Sequence, residues 1–174
     1  MNGFERIRAA LSGEQPDVVP VMLHNFMMAA REAGVKMCEY RTNPEALARS
    51  FIQAVETYGY DGILVDIDTA TLAGAVGVPV DLPEDAPGRT LGGCIGSLSE
   101  AADLPPADVS RYPIIQVWLE GVRILKRHFG DEIWIRGNCD QAPYDLACLM
   151  RGMDEWMMDI MDPARREAAH CLLE

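Results

Sequence analysis

Apolar residues along this chain switch repeatedly between a helical and a strand spacing. Phe4, Ile7 and Leu11 share one face of a helix predicted over Phe4–Leu11, which Ser12-Gly13 ends. Past Pro16, Val18–Leu23 (VVPVML) predicts the first strand, and Phe26–Ala33 a short helix closed by Gly34. Asn43-Pro44 has the form of an N-cap followed by proline at the first helical position. The helix that follows, Glu45–Tyr58, places Leu47, Phe51, Ala54, Val55 and Tyr58 on one stripe. Ile63–Ile67 predicts the second strand, and a segment of small residues after it reads as helix as far as Gly77. Residues Pro79–Pro106 are rich in Pro, Gly and Asp with little periodicity, and predict a long excursion with room for one short strand. A helix then runs from Ala107 to Phe129, carrying Val117, Leu119, Val122, Leu125 and Phe129. Glu132–Arg136 is the third strand, and Pro143–Met150, Met153–Met161 and Pro163–Leu173 are three short helices.

Alternating helices and strands with helical crossovers imply a parallel sheet with helices packed outside it. Three strands cannot close a barrel, and a (β/α)8 barrel typically takes ~250 residues. Residues 1–174 are therefore expected to be one partial domain, the N-terminal portion of an α/β barrel whose C-terminal half is absent. The open barrel edges of such a portion would favour self-association.

Composition narrows the partners. At 49% hydrophobic and 24% charged residues the chain has the make-up of a soluble globular protein. No apolar run approaches the ~20 residues of a membrane span. The opening MNGFERIRAALSGEQ has no apolar core of a secretion signal, so the cytoplasm is the expected compartment. The net charge of −12 sets nucleic acid and anionic lipid aside as partners. The five cysteines are scattered without a CxxC pair, which fits reduced thiols rather than a disulfide framework. His24, His128 and His170 stand far apart, so no zinc site built wholly within this chain is expected.

The stretch DGILVDIDTATLAGAVGVPV (Asp61–Val80) carries the clearest chemistry. A buried parallel strand delivers two acids, Asp66 and Asp68, to its C-terminal end, where α/β folds place their reactive groups. If the strand continues through Asp68, its alternation puts both carboxylates on one face. Each acid has a plainer reading: Asp68 caps the helix beginning near Thr69, and Asp66 bonds a neighbouring arginine. His24 follows the first strand and either faces the same end or serves as a hydrogen-bonded structural residue. Asp140 and Gln141, with Cys139, follow the third strand and either contact substrate or stabilise a turn. The ten methionines are read as core filler or as cover for a neighbouring unit. Gly92-Gly93-Cys94-Ile95-Gly96 matches no phosphate-loop spacing.

Taken together, the opening helix, the proline-flanked strand, the Asn-Pro-Glu helix, DGILVDIDTATLAGAVGVPV and IWIRGNCDQAPYDLACLMRG resemble the uroporphyrinogen decarboxylase family. That family includes both the decarboxylase of tetrapyrrole synthesis and corrinoid-linked methyltransferases, and its members are closed (β/α)8 barrels. Asp68 followed by Gly77 is similar to the family's strand-end aspartate and glycine. In the decarboxylase branch, the resemblance implies that this acid sits among the pyrrole NH groups and stabilises the cation formed on protonation, with Asp66 beside it. Asn138–Ala147 is similar to the turn "G-x-P-F-T-L-A", with Ala142 where the family has glycine. Arg31-Glu32-Ala33-Gly34 and, further on, Glu39-Tyr40-Arg41 resemble "RQAGRY…EYR", which implies that Arg31 binds substrate.

The second arginine of that stretch falls at Val35 and its tyrosine at Lys36. A substrate with eight carboxylates wants an arginine fork or equivalent for each desolvated acid. The expectation therefore leans to methyl transfer from a corrinoid to a thiol or similar acceptor, with uroporphyrinogen decarboxylation as the alternative. A truncated chain that is inactive without its C-terminal half is the reading from outside enzymology. The resemblance implies a small molecule or a corrinoid protein as partner. It also implies zinc and a corrinoid as cofactors of a complete methyltransferase, with the zinc ligands in the family's second half.

Overall fold

The computed structural model describes residues 1–66, 68–106, 108–138 and 143–173. In chain order the elements begin with helix α1 (Gly3–Leu11), strand β1 (Met22–Leu23), and helices α2 (Phe26–Glu32), α3 (Met37–Thr42) and α4 (Pro44–Tyr58). Strand β2 (Gly62–Val65), helix α5 (Thr71–Ala75) and strands β3 (Val80–Asp81) and β4 (Arg89–Thr90) follow. Helix α6 (Pro113–Phe129), strand β5 (Trp134–Gly137) and helices α7 (Tyr144–Arg151), α8 (Met153–Met161) and α9 (Arg166–Leu173) complete the series. These residues form two compact units, one from 1–67, 84–86 and 113–138, the other from 68–83, 87–112 and 139–174.

The first unit is built on a parallel sheet in the order β1-β2-β5. Its register pairs Met22 with Gly62, Leu23 with Ile63, Gly62 with Trp134 and Val65 with Gly137. Every residue of β2 is buried, as expected of a central strand covered on both faces. Helix α1 packs against the starting ends of β2 and β5. Phe4 stacks on Trp134 at 5.0 Å, and Arg6 bonds Asp61, the residue before β2, at 2.9 Å. That end of the sheet is therefore plugged, and the chemistry is left to the C-terminal end. Helices α4 and α6 pack closely on each other because Gly121 has no side chain: a Cβ there would come 2.6 Å from Leu47 Cδ2. Helix α4 starts as its sequence predicts, with Asn43 Oδ1 accepting from the Glu45 and Ala46 amides and Pro44 at the first position.

The second unit joins the antiparallel pair β3-β4 to α5, α7, α8 and α9. One part of its core gathers Leu98, Ala147, Cys148, Trp156 and Ala169, and another Ala73, Val78 and Met150. No helix among the described residues is long and apolar enough to cross a membrane.

Several boundaries differ from the sequence expectation. Strand β1 is Met22–Leu23 instead of Val18–Leu23. Pro20 has no N–H to donate, and pairing begins only where the Val21 carbonyl accepts from the Asp61 and Gly62 amides. Strand β2 stops at Val65, so strand alternation does not reach Asp66 and Asp68. The excursion after Pro79 holds the β3-β4 pair and a 3₁₀ helix over Leu98–Asp103, capped reciprocally by Ser97 and Glu100. The long helix starts at Pro113, not Ala107, after a 3₁₀ turn at Val109–Arg111. Helix α3 was not expected at all.

Candidate functional site

The three parallel strands end at Leu23, Val65 and Gly137, and the next residues are His24, Asp66 and Asn138. The end of β2 is pinned from two sides, because the Val65 carbonyl accepts from Asn138 N at 3.1 Å and from Trp118 Nε1 at 3.1 Å. Asp66 is fixed next: its backbone carbonyl accepts from the Tyr40 hydroxyl at 2.6 Å, and its side chain is only 5% exposed. His24 Nε2 lies 2.7 Å from Asp66 Oδ2, with the imidazole 48% exposed. The pair thus joins a buried carboxylate to a ring that reaches water. Phe26 stacks on His24 at 5.6 Å and meets the buried Tyr40 at 6.2 Å, holding the ring's other face. Leu23, His24, Asn25, Phe26, Met27 and Met28 line an open hollow of about 490 Å³ beside it.

Asp68 lies in the second unit and is buried. Its Oδ1 accepts from the Ala70 amide at 3.0 Å, the Thr71 amide at 2.9 Å and the Thr71 hydroxyl at 2.9 Å. That oxygen therefore holds the start of α5, the capping arrangement weighed in the sequence. Its Oδ2 would meet a Cβ on Gly88 at 2.9 Å, so glycine is what leaves the carboxylate its place.

The remaining predicted residues fall as follows. Arg31 is exposed on α2, Val35 is buried in the core, and Lys36 pairs with Glu84 at the surface. Asp140, Gln141 and Cys139 lie outside the described residues. The structure brings His24 and Asp66 into contact.

Sequence reasoning passed over Tyr40, Arg41, Phe26, Trp118 and Asn138. Arg41 is 2% exposed and donates from Nη2 to the Ala86 carbonyl. Glu39-Tyr40-Arg41 is quoted in the sequence only for its resemblance, and the burial of Tyr40 and Arg41 is visible only in the structure. Burial pushes the Cys94 and Cys148 thiols up, which keeps them protonated and poor nucleophiles. Among the described residues no three His, Cys, Asp or Glu side chains come together to hold a metal ion, so these residues do not fit zinc.

A sequence model of the uroporphyrinogen decarboxylase (URO-D) family matches residues 2–174. No curated protein sequence matches the chain significantly. Among solved structures, a methyltransferase from Methanosarcina mazei superposes with a TM-score of 0.83 at 22% identity. The match covers 99% of this chain and 52% of the methyltransferase, so the chain spans about half of that protein's length. At that identity the likeness speaks for the fold, and the architecture is a partial (β/α)8 barrel. With the family match running almost from end to end, the chain belongs to the uroporphyrinogen decarboxylase family.

Proposed function

We propose that this chain serves an enzyme acting on a tetrapyrrole-linked substrate, transferring a methyl group from a corrinoid to a thiol or similar acceptor. The observation that carries this reading is the fate of the arginine pair. Arg31 is exposed, the position of its partner is Val35 at 3% exposure, and Lys36 is engaged with Glu84. The twin guanidinium forks that a polycarboxylate substrate calls for do not form there. The net charge of −12 weighs in the same direction. The methyltransferase named above is consistent with the reading through its fold.

In this reading Asp68 and Asp66 are the acids of the catalytic machinery, Asp66 acting on the substrate through His24. His24 meets the substrate at the hollow, and Arg31 of α2 is a single substrate contact without the second arginine of a fork. Asp140 and Gln141, next in sequence after the third strand, complete the substrate contacts. A corrinoid, when bound, supplies the methyl group; Phe26, Met27 and Met28 offer its apolar parts an apolar surface. The described residues offer zinc no donor set, and the proposal assigns zinc no ligand among them.

Loss of acetate CO2 from uroporphyrinogen is the second reading. It is favoured by Asp68, a buried acid at the position similar to the family's strand-end aspartate. There the carboxylate would stabilise a protonated pyrrole ring.

Parallel assays separate the two. The protein is incubated with methylcobalamin and a small thiol, and separately with uroporphyrinogen. Appearance of the methyl thioether without decarboxylated porphyrinogen is expected. Decarboxylation alone would move the second reading to first place, and silence in both assays would remove both.

A further inference from the structure

We infer that His24 and Asp66 form a proton-transfer dyad, in which His24 is the group that touches the substrate and Asp66 positions it. The inference rests on the proposed methyl transfer only for the identity of the acceptor. Its own basis is geometric. The two residues follow adjacent parallel strands, at the same C-terminal end of the sheet, and their side chains meet at 2.7 Å. A carboxylate accepts hydrogen bonds and donates none, so across the 2.7 Å contact the Nε2 atom carries the proton. That assignment leaves Nδ1 as the ring's lone-pair nitrogen, and it has no hydrogen-bond partner among the described residues.

The burial pattern separates this pair from its plainer alternatives. An exposed ion pair would leave both groups in water, where it contributes little. A structural core histidine would bury the ring. Here the acid is 5% exposed and the ring 48%, so the orienting group is inside and the reactive nitrogen's ring is outside. The acid is further immobilised through its own backbone by the Tyr40 hydroxyl. The ring is held flat against Phe26. Of the residues lining the 490 Å³ hollow, His24 alone carries a titratable side chain.

The step balances simply. An acceptor S–H or O–H bond breaks as its proton forms a bond to Nδ1, and the electron pair stays on the sulfur or oxygen, which becomes the nucleophile. The imidazolium charge is shared with Asp66 through Nε2–H. The proton then passes from the exposed ring to water.

Two measurements on the protein and its His24→Ala, Asp66→Asn and double variants test this. The first needs no substrate. Long-range ¹H–¹⁵N NMR of uniformly labelled protein should show His24 as the Nε2–H tautomer with a slowly exchanging, downfield ring proton. That proton should become fast-exchanging in Asp66→Asn. A fast-exchanging Nε2–H in the wild type overturns the dyad. The second is turnover in the methyl-transfer assay. His24→Ala should lose about 100-fold in kcat, within the usual range for a general acid–base group, and recover in part with added imidazole. Asp66→Asn should lose at least about tenfold without imidazole rescue, and the double variant should be no slower than His24→Ala. Turnover within about threefold of wild type in both single variants, on the same general acid–base scale, overturns the dyad while leaving the reaction standing. If the wild type transfers no methyl group, the proposed function falls and the NMR result alone decides the dyad.

Discussion

Asp68 carries two demands on one carboxylate, and its two oxygens divide them. Oδ1 receives three hydrogen bonds from the start of α5, while Oδ2 lies over Gly88. Asparagine reproduces the accepting oxygen but not the charge, which makes the demands separable. Asp68→Ala should lower unfolding stability by about 1–2 kcal/mol, the cost of a lost cap with buried donors left unpaired. Asp68→Asn should cost less than Asp68→Ala, since Asn keeps the accepting oxygen that holds α5. For a catalytic carboxylate, turnover of Asp68→Asn should nevertheless fall at least tenfold, or ~1.4 kcal/mol of barrier. Chemical denaturation and the two assays read these separately; full turnover in Asp68→Asn would leave Asp68 as a cap alone. At this scale the sequence was informative where a residue type signals its own chemistry. Asp66, Asp68 and His24 stood out as polar residues at the ends of apolar runs. Tyr40 did not, because its bond to the Asp66 carbonyl is made only by folding, and no local spacing records that.

Among the helices of the second unit, a buried carboxylate does the work of a rivet. Asp159 of α8, 1% exposed, receives Arg151 of α7 at 2.8 Å and Arg165, from the turn before α9, on its other oxygen. Burial alone would raise the Asp159 pKa, but the hydrogen bonds from Arg165 and Arg151 outweigh it and hold the carboxyl below the usual carboxylate range. A depressed folded-state pKa contributes stability that is present above the unfolded value of ~3.9 and lost as pH falls through the folded value. Thermal unfolding of wild type should therefore weaken below about pH 4, and Asp159→Asn should flatten that acid limb. Arg151→Met should cost roughly 3 kcal/mol, because Arg151 is itself nearly buried and its loss strands the acid. Arg165→Ala, at a half-exposed partner, should cost less than ~1 kcal/mol. Equal losses for the two arginines would count against this division.

The element boundaries show when such packing was legible. Met153–Met161 and the start of α4 coincide with expectation, because a proline, a cap or a glycine marks them. The 3₁₀ helix at Leu98–Asp103 had its Ser97-x-x-Glu100 signature in plain view within the excursion, where no helix was expected. Helix α3 is six residues long, too short to display a period.

For the whole molecule, edges and charge act against each other. Among the described residues the parallel sheet has the order β1-β2-β5, so β1 pairs on one side only. The chain leading into it exposes Val18, Val19 and Val21, with Val19 at 86%. An apolar edge of this kind is a template for pairing with another strand. Against it stands the net charge of −12, which repels a second copy over a Debye length of ~10 Å at 0.1 M salt but only ~3 Å at 1 M. Self-association through this edge should therefore strengthen with salt, the opposite of an association held by ion pairs. Sedimentation velocity at fixed protein concentration should show the mean mass rising between ~0.1 M and ~1 M salt. Val19→Lys, which places a charge on the edge without touching the core, should suppress the rise. A mass that is constant with salt, or that rises equally in Val19→Lys, would locate any association elsewhere, with the exposed methionines of α8 the next surface to substitute.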